Sequence, residues 1–485
     1  MKRILAMLLA LMMLLSLCAC ASPSLEDGEA AKATKDAPAE QKKTAEQEKK
    51  AVRVPDDLPE GFTAGFGRAD ITCEVPATIG PNTDATMIAD PLYATCTAIS
   101  DGETVAILFH LDAKGIPTSF LNMVTRRLQK DYGIPAENVI LNATHSHNSP
   151  TSLTGNTRWL QKLLNGISEA TGDALRDLAP AEAYISKGDT TGFGFVRRYL
   201  LANGTYKCNP SHNDKPVEHE SVADAELRAI RFERGDKKDI LMVNWQCHAA
   251  HGRSAHPTWI SSDFIYGLRT GVEKELGVHF SYHNGSSGNL NFTNATGPQK
   301  GNYETAGKEL VDVVKETVKN EEKVNLGKIK TAKSTVDLEI IQDSAERVEG
   351  AKIFSGTAET EKPTVLAKYG LISSYEVSAI NTRQEYLKNG EKEPIALYAI
   401  SCGDLAFSTC PFEQFDSDGK AVRDASPFKM TFSCAYSNGD YGYLPSSFAY
   451  PHGSYEVYTT RFVQGSSDLI VEGQIALLNQ LHSAS

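Results

Sequence analysis

Short apolar segments alternate with amphipathic segments over most of the chain, and this alternation constrains the fold more than any other feature. Val105–Leu111 is a largely apolar run of the length of a buried strand. The following segment, Ser119–Tyr132, has apolar residues at helical spacing and ends before Gly133-Ile134-Pro135. Val139–Leu141 then begins another strand. This order predicts an α/β fold of mixed β-sheets flanked by helices.

The same pattern continues towards the C-terminus. Further strands are predicted at Leu227–Phe232, Ile240–Gln246, Lys330–Ile340, Ile395–Ile400 and Leu405–Ser408, and helices at Phe264–Leu276 and Tyr303–Asn320. A composition of 41% hydrophobic and 23% charged residues is that of a globular protein and excludes collagen-like and coiled-coil chains. Because no fixed-period repeat follows Pro55, we predict a single large domain over residues 56–485.

The N-terminus has the pattern of a bacterial lipoprotein signal. Lys2 and Arg3 precede an apolar run too short to span a bilayer, so we predict a signal peptide over residues 1–19. Leu17-Cys18-Ala19-Cys20 resembles a lipobox, with Cys20 favoured as the lipidated residue over Cys18. A plain secretory signal with incidental cysteines is the alternative. The polar residues 20–55 predict a disordered tether, so we expect an extracytoplasmic protein anchored to the cell membrane through Cys20.

Charge and cysteine content exclude two classes of protein. The net charge of −12 provides no basic surface for a nucleic acid. Seven cysteines follow Cys20, and none forms a CxxC pair, which argues against a disulfide-scaffold protein. Cys402 and Cys410 could pair across a turn, but the sequence leaves this open.

Two histidines lie where a predicted strand ends. Val139–Ala143 runs into Thr144-His145-Ser146-His147, and side chains two residues apart on an extended segment share a face. A lone His-x-His motif can equally serve a turn or a helix cap. The strand Ile240–Gln246 is likewise followed by His248, and strand ends are where α/β folds gather ligands. The repetition favours a metal site.

Two further segments contribute a carboxylate and tyrosines. The strand Leu405–Ser408 leads past Pro411 to Glu413, for which helix initiation is the alternative role. Tyr443 and Tyr455 follow, although tyrosine clusters commonly serve packing or carbohydrate contact. Two histidines and one carboxylate would give Zn²⁺ three protein ligands and leave room for water, the layout of a hydrolytic site.

A series of motifs, in the same order, resembles the neutral/alkaline non-lysosomal ceramidases and their shorter bacterial relatives. The resemblance spans most of residues 65–456. It is carried by Gly65–Thr72 (GFGRADIT), Asp90–Ala94, Leu111-Asp112, Asn138–Pro150 (NVILNATHSHNSP), Ser262–Phe264, Asn284–Asn291, Pro411-x-Glu413 and Asn438…Tyr443…Tyr455-Glu456.

The resemblance implies roles for individual residues. His145, His248 and Glu413 match metal ligands, and Tyr443 matches a tyrosine near or on the metal. The implied catalytic residues are His147, Arg197, Tyr443 and Tyr455, with Arg198 as the alternative to Arg197. The cofactor would be Zn²⁺ and the partner a small-molecule or lipid amide, in sphingolipid metabolism.

This sequence also departs from the family pattern. Where the family has a serine in a GDVSP-like loop, the corresponding stretch is Gly288–Phe292, which places Asn291 at the serine position; Ser286 and Ser287 belong to a different offset. Phe412 replaces a glycine beside the carboxylate ligand. The chain ends soon after Tyr455, so we expect no immunoglobulin-like C-terminal domain.

These observations predict a zinc-dependent hydrolase of an amide or related acyl bond, with metal-activated water as the nucleophile. The alternative is a catalytically inactive lipoprotein that kept the fold and binds a lipid or another ligand. A metal-independent serine hydrolase is disfavoured because Gly285-Ser286-Ser287-Gly288 does not match G-x-S-x-G.

Overall fold

A five-stranded sheet, sheet 1, carries the first histidine motif. In a computed structural model that describes residues 58–80, 83–151, 157–302 and 304–483, its strands lie in the order Val139–Ala143, Val105–Leu111, Tyr93–Ser100, Thr63–Asp70 and Ala179–Pro180. The first two strands run parallel. Their carboxyl ends therefore meet at one edge of the sheet.

Two further large sheets share this feature. Sheet 2 has the order His279–Asn284, Lys237–Trp245, Glu226–Arg234, Glu182–Asp189 and Glu322–Val324, and its first two strands are parallel. Sheet 3 has the order Ile329–Glu339, Lys392–Cys402, Leu405–Thr409 and Met430–Cys434, and its last two strands are parallel. The residues that follow these parallel strands form the candidate site.

Smaller strand groups connect the sheets. A three-stranded sheet has the order Tyr206–Cys208, Arg198–Leu201 and Pro216–His219. The two-stranded pairs are Phe195–Val196 with Leu290–Asn291, Trp259–Ile260 with Met87–Ile88, Ala77–Gly80 with Thr83–Ala85, and Glu413–Gln414 with Tyr443–Leu444.

Helices lie between and after the strands of the large sheets. The α-helices of the described residues are Thr118–Tyr132, Thr157–Arg176, His251–Ala255, Phe264–Leu276, Ala306–Thr317, Ala345–Gly356, Lys362–Lys368, Ser374–Leu387, Asp416–Asp424, Tyr455–Thr459 and Ser466–Ser483. Short 3₁₀ turns cover Ala136–Asn138, His212–Asp214, Val318–Asn320 and Ser447–His452.

The inner faces of the three large sheets share one apolar core. Phe66 from sheet 1, Ile240 from sheet 2 and Phe432 from sheet 3 belong to the same cluster of buried side chains. Helices cover the outer faces and bury a separate cluster against each sheet. Full burial of such a side chain contributes roughly 1.5–3 kcal/mol, so this core fixes the relative positions of the sheets.

Close packing of helix on strand requires glycine at one place in sheet 1. A Cβ atom on Gly65 or Gly67 would lie 2.0 Å from the carbonyl oxygen of Ala174 or Ala170, respectively. The helix Thr157–Arg176 therefore lies directly on the first strand, and a side chain at either glycine would push the two apart.

The predicted α/β fold class is confirmed. The strand Val105–Leu111 and the helix Phe264–Leu276 have the predicted bounds, and the other predicted elements differ by a few residues at their ends. The helix Thr157–Arg176 was not predicted. Nor were the three helices between Ala345 and Leu387.

Cys402 and Cys410 are free buried thiols, so the pairing that the sequence left open is not formed. The described residues belong to one compact unit. The predicted signal peptide, tether and lipidated Cys20 lie outside the described residues, and the domain bounds stay predictions. Within the described residues, no helix combines the length and apolar character that crossing a bilayer requires.

Candidate metal centre

His145 is held by the backbone just beyond the strand Val139–Ala143. Its φ of 60° is in the left-handed region, which a residue with a side chain adopts only when its surroundings require it. The His145 amide donates to Ala113 O (3.0 Å), and Nδ1 lies 2.7 Å from Lys114 O. Because a carbonyl accepts only from a protonated nitrogen, this contact places the proton on Nδ1 and leaves the Nε2 lone pair free.

His248 reaches the same point from sheet 2. Its Nδ1 donates to Ser287 O (3.2 Å), which again leaves Nε2 without a proton. The Nε2 atoms of His145 and His248 lie 3.1 Å apart. Two lone pairs that face each other at this distance repel unless a proton or a cation lies between them. The pair is therefore arranged as metal ligands are.

His147 joins the two other histidines. Its Nε2 lies 3.2 Å from Nε2 of His145, and the three side chains form the group of the described residues that could hold a metal ion. The His147 amide donates to Ala249 O (2.9 Å), which ties the histidine motif of sheet 1 to the segment after His248. The geometry admits His147 as a ligand, in addition to the catalytic role that the resemblance implies.

Glu413 supplies a carboxylate to the histidines. Its Oε2 lies 3.2 Å from Nε2 of His145 and 3.6 Å from Nε2 of His248. The same oxygen is buried and has no hydrogen-bond partner. In a tetrahedral zinc site with bonds of 2.0–2.1 Å, neighbouring ligand atoms are about 3.3 Å apart. The donor types and their separations fit Zn²⁺.

Strand pairing brings Tyr443 to Glu413. The two residues are opposite each other in the parallel pair Glu413–Gln414 and Tyr443–Leu444. The Tyr443 hydroxyl hydrogen-bonds to the Glu413 carboxylate. It also accepts from Nη2 of Arg197 at 3.0 Å. Tyr443 thus lies between a cation and the carboxylate of the site.

The two adjacent arginines have different environments. Arg197 donates from Nε to Glu456 (2.9 Å) and from Nη2 to Tyr443, so it lines the site. Arg198 donates to Glu220, to Glu456 and to Gly453 O, and its side chain is fully buried. Arg197 is therefore the site arginine and Arg198 a structural one, an alternative that the sequence left open.

Tyr455 lies on the outer side of Tyr443. The two ring centroids are 5.4 Å apart in an edge-to-face arrangement. Burial, followed by the charge of Glu413, raises the pKa of Tyr455 to about 12. Burial also raises the pKa of Tyr443 well above its ordinary value, against the opposing effect of Arg197. Both phenols keep their protons at neutral pH and can donate hydrogen bonds.

Burial and charge also set the ionisation of the ligands. Burial lowers the pKa of His147 and of His248 well below the ordinary value, so both imidazoles are neutral at pH 7. For Glu413, burial acts to raise the pKa, but the interaction with His145 and the charge of Arg197 lower it overall. Neutral imidazoles and an ionised carboxylate are the forms that bind metal.

Sequence reasoning missed Tyr436. Its ring stacks on His145, with centroids 4.2 Å apart and an angle of 24° between the planes. Its hydroxyl is 2.8 Å from Oγ of Ser287. Tyr436 lies two residues beyond the strand Met430–Cys434, as His145 lies two beyond Ala143. Applying the strand-end criterion to every apolar strand could have found it.

Buried asparagines join the ends of the three sheets. Asn142 donates to Asn284 O and Ala435 O, and Asn438 accepts from the Leu141 amide. Asn244 donates to His283 O and Ser433 O. These bonds fix the separation of the strand ends that bear the ligands. A single buried asparagine carries no distinguishing signal in the sequence.

Asn291 does not reach the metal centre. It pairs with Phe195, and its side chain donates to Asn209. Ser287, whose carbonyl accepts from His248, is the serine of this loop that lies against the ligands. Ser286 instead donates to Gln414. The match of Asn291 to the serine position of the family stays a prediction, and the structure brings Ser287 to the histidines instead.

Part of the chain matches a known protein family. Residues 62–268 match the family model described as neutral/alkaline non-lysosomal ceramidase, N-terminal. The resemblance to the neutral ceramidase family is confirmed. The matched residues include the three histidines and both arginines of the candidate site; Glu413, Tyr443 and Tyr455 follow them.

Two solved ceramidase structures share the fold. One is a ceramidase complexed with C2, at 17% identity and a TM-score of 0.66, covering 88% of this chain and 76% of that one. The other is the neutral ceramidase of Pseudomonas aeruginosa, at 19% identity and a TM-score of 0.66, covering 88% of this chain and 75% of that one. The ceramidase-like fold thus extends beyond the segment that the family model matches.

Proposed function

We propose that this chain is a zinc-dependent hydrolase that cleaves the amide bond of an N-acyl substrate. The observation that carries the proposal is the unpartnered Oε2 of Glu413, which is buried within 3.6 Å of two imidazole nitrogens that have no proton to offer it. A buried carboxylate oxygen without a partner is unfavourable by itself. A cation held between these atoms removes that penalty.

His145, His248 and Glu413 would hold the ion, with His147 and Tyr443 at its margin. Bound there, Zn²⁺ would polarise the scissile carbonyl and lower the pKa of a bound water towards about 7. The carbonyls of Lys114 and Ser287 fix the tautomers of the two histidine ligands. Fixed tautomers keep the ligand lone pairs directed at one point.

The phenols stabilise charge that develops on the substrate. Arg197 donates to the Tyr443 oxygen and polarises its O–H bond. Tyr443 and Tyr455 remain protonated. Tyr455 can donate to an oxyanion on the carbonyl under attack, and Tyr443 can do so when its proton turns from the Glu413 carboxylate to the substrate. A donor of this kind contributes on the order of 10²–10³ in rate when it is already oriented. Glu456 holds Arg197 in place from the opposite side.

The ceramidase-family fold supports a lipid amide as the substrate. We propose in addition that the protein is extracytoplasmic and held at the membrane through lipid on Cys20. A catalytic domain near the membrane would meet lipid amides where they are concentrated. The two proposals are independent, since hydrolysis needs no anchor.

The function is tested by turnover on a panel of N-acyl compounds with zinc-loaded protein. Release of free fatty acid that is lost in Glu413→Gln and retained in the surface variant His212→Ala supports the hydrolase. If no amide or ester in the panel turns over while the wild type still binds such compounds, the chain is instead a binding lipoprotein that kept the fold.

A further inference from the structure

A polar cleft opens beside the metal centre, and apart from Tyr455 its lining residues have no role in the proposed chemistry. Its volume is about 370 Å³, within the range of small-molecule sites. Its inner wall is formed by Tyr455, whose ring contacts that of Tyr443, and by Gly442, which precedes Tyr443 in the sequence. The helix Ser374–Leu387 forms its outer wall.

The outer wall is one face of that helix. Tyr375, Ser378, Thr382 and Tyr386 line the cleft at spacings of three and four residues. The helix is anchored beside this face, because Arg383 forms an ion pair with Asp343 and donates to Thr460 O at 2.9 Å. The cleft therefore has a rigid wall rather than a mobile flap.

Aromatic rings and hydroxyl groups dominate the lining. Four tyrosines contribute: Tyr375, Tyr386, Tyr441 and Tyr455. The rings of Tyr375 and Tyr455 are in contact, with centroids 5.2 Å apart. Among the described residues that line this cleft, none is Leu, Ile, Val, Met or Phe. Such a surface suits a ligand that has both hydroxyl groups and apolar C–H faces, and it does not suit an alkyl chain.

The charges of the cleft disfavour an anion. Arg461 is buried in the wall, lies over the rings of Tyr386 and Tyr441, and is paired with Glu393 at 3.3 Å. Asp440 also lines the cleft. The cation of the cleft is therefore already paired, and Asp440 interacts with Lys114. A neutral ligand with hydroxyl groups can hydrogen-bond to both signs of charge, whereas a phosphate or sulfate would find no unpaired cation among the described residues that line the cleft.

We propose that this cleft binds a neutral sugar or polyol group on the amine side of the amide substrate. This inference rests on the proposed hydrolase function. An unsubstituted acyl chain carries no hydroxyl groups, so the group that fills the cleft belongs to the amine. Such a group is separated from the amide nitrogen by only a few covalent bonds, as Tyr455 and the cleft adjoin the metal centre.

The test compares two amides with the same acyl chain in the same detergent micelles: N-octanoyl sphingosine and N-octanoyl glucosylsphingosine. We expect kcat/KM for the glucosylated amide to be higher by about tenfold or more. The polar groups of the cleft form hydrogen bonds with the glucose and stay unpaired when N-octanoyl sphingosine is bound. Equal or faster cleavage of the unglucosylated amide by the wild type overturns the inference and leaves the hydrolase function intact.

Tyr375 is the residue to change, because its side chain is 61% exposed and its loss should not affect folding. Tyr375→Ala should lower the ratio of the two kcat/KM values at least about fivefold. Ile372→Ala, at an exposed position outside the cleft on the same segment, is the matched control and should leave the ratio unchanged. An unchanged ratio in Tyr375→Ala contradicts the placement of the sugar.

If neither amide is cleaved, the hydrolase function fails and the cleft is tested directly with methyl β-D-glucoside. Calorimetric binding that is lost in Tyr375→Ala and kept in Ile372→Ala would still support a sugar site. Absence of binding to the wild type would overturn it.

Discussion

Glu413 and Tyr443 are opposite each other in a two-residue parallel strand pair. This pairing sets the phenol of Tyr443 against the carboxylate, while Arg197 donates to the same phenol from the other side. One short strand pair thus joins the candidate metal ligand to the candidate oxyanion donor. Separate changes to the tyrosine and to the arginine distinguish their roles.

Tyr443→Phe removes the hydroxyl and keeps the ring. We expect kcat to fall on the order of 10²–10³, because an oriented donor to the developing oxyanion is lost. Zinc content should fall far less, since the histidines and Glu413 remain. Steady-state kinetics together with metal analysis checks this, and Tyr184→Phe, on the far strand Glu182–Asp189, is the control. Full activity in Tyr443→Phe would remove the phenol from the mechanism.

Arg197→Lys and Arg198→Lys should have different effects. Lysine cannot donate to both Glu456 and Tyr443 as Arg197 does, so activity should fall with little change in thermal stability. Arg198 is fully buried between Glu220 and Glu456, and lysine cannot replace all of its hydrogen bonds to these two buried carboxylates. Arg198→Lys should therefore unfold at a lower temperature than the wild type. Its free energy of unfolding should fall by on the order of 3 kcal/mol. If both variants lose activity and thermal stability to the same extent, the different roles assigned to Arg197 and Arg198 are contradicted.

Asp418 predicts a pH dependence of stability. Burial, followed by the nearby charges of Asp468 and Asp416, raises its pKa from an ordinary value of 3.8 to about 7. Between these values the native state keeps a proton that the unfolded chain has lost. This group's contribution to stability therefore decreases as pH rises from about 4 to 7.

Asp418→Asn should remove this effect. The free energy of unfolding of the variant minus that of the wild type is measured by urea unfolding at pH 5 and at pH 8. We expect this difference to be larger at pH 8 by on the order of 2 kcal/mol. Asp424→Asn, at an exposed position on the same helix, is the control. If the difference between Asp418→Asn and the wild type is the same at both pH values, Asp418 does not titrate as described.

The location of the protein depends on Cys20. Cys20→Ala should release the protein from the membrane fraction, because lipid attached at this residue is the proposed anchor. Cys18→Ala keeps the lipidated residue and should stay in the membrane fraction. Fractionation of cells that express the full chain measures both. A Cys20→Ala protein that remains with the membrane would place the anchor elsewhere.

Much of the fold could be predicted because buried strands and amphipathic helices have clear periodicity. Val105–Leu111 is buried along its whole length, as its largely apolar sequence predicts. The strand-end criterion identified both histidine segments and Glu413. In contrast, the helix Thr157–Arg176 was missed, although Trp159, Leu163, Ile167, Ala170 and Ala174 recur at helical spacing and are buried on one face.

Contacts that form only on folding could not be predicted. The loop that contains Ser287 and Asn291 has no periodicity, so its register against the metal ligands depends on packing. A Cβ on Gly288 would lie 2.2 Å from the carbonyl oxygen of Glu413, and this close approach fixes the loop. The stacking of Tyr436 on His145 likewise joins residues distant in sequence.

Metal content is the most direct test of the central claim, which is that His145, His248 and Glu413 form a zinc site. Elemental analysis of purified protein, after dialysis with and without added zinc, should give one zinc per chain. His248→Ala and Glu413→Gln should lose it while their circular dichroism stays that of the wild type, and the surface variant His212→Ala should keep it. A wild-type protein that holds no divalent metal and takes up none on titration would contradict the account.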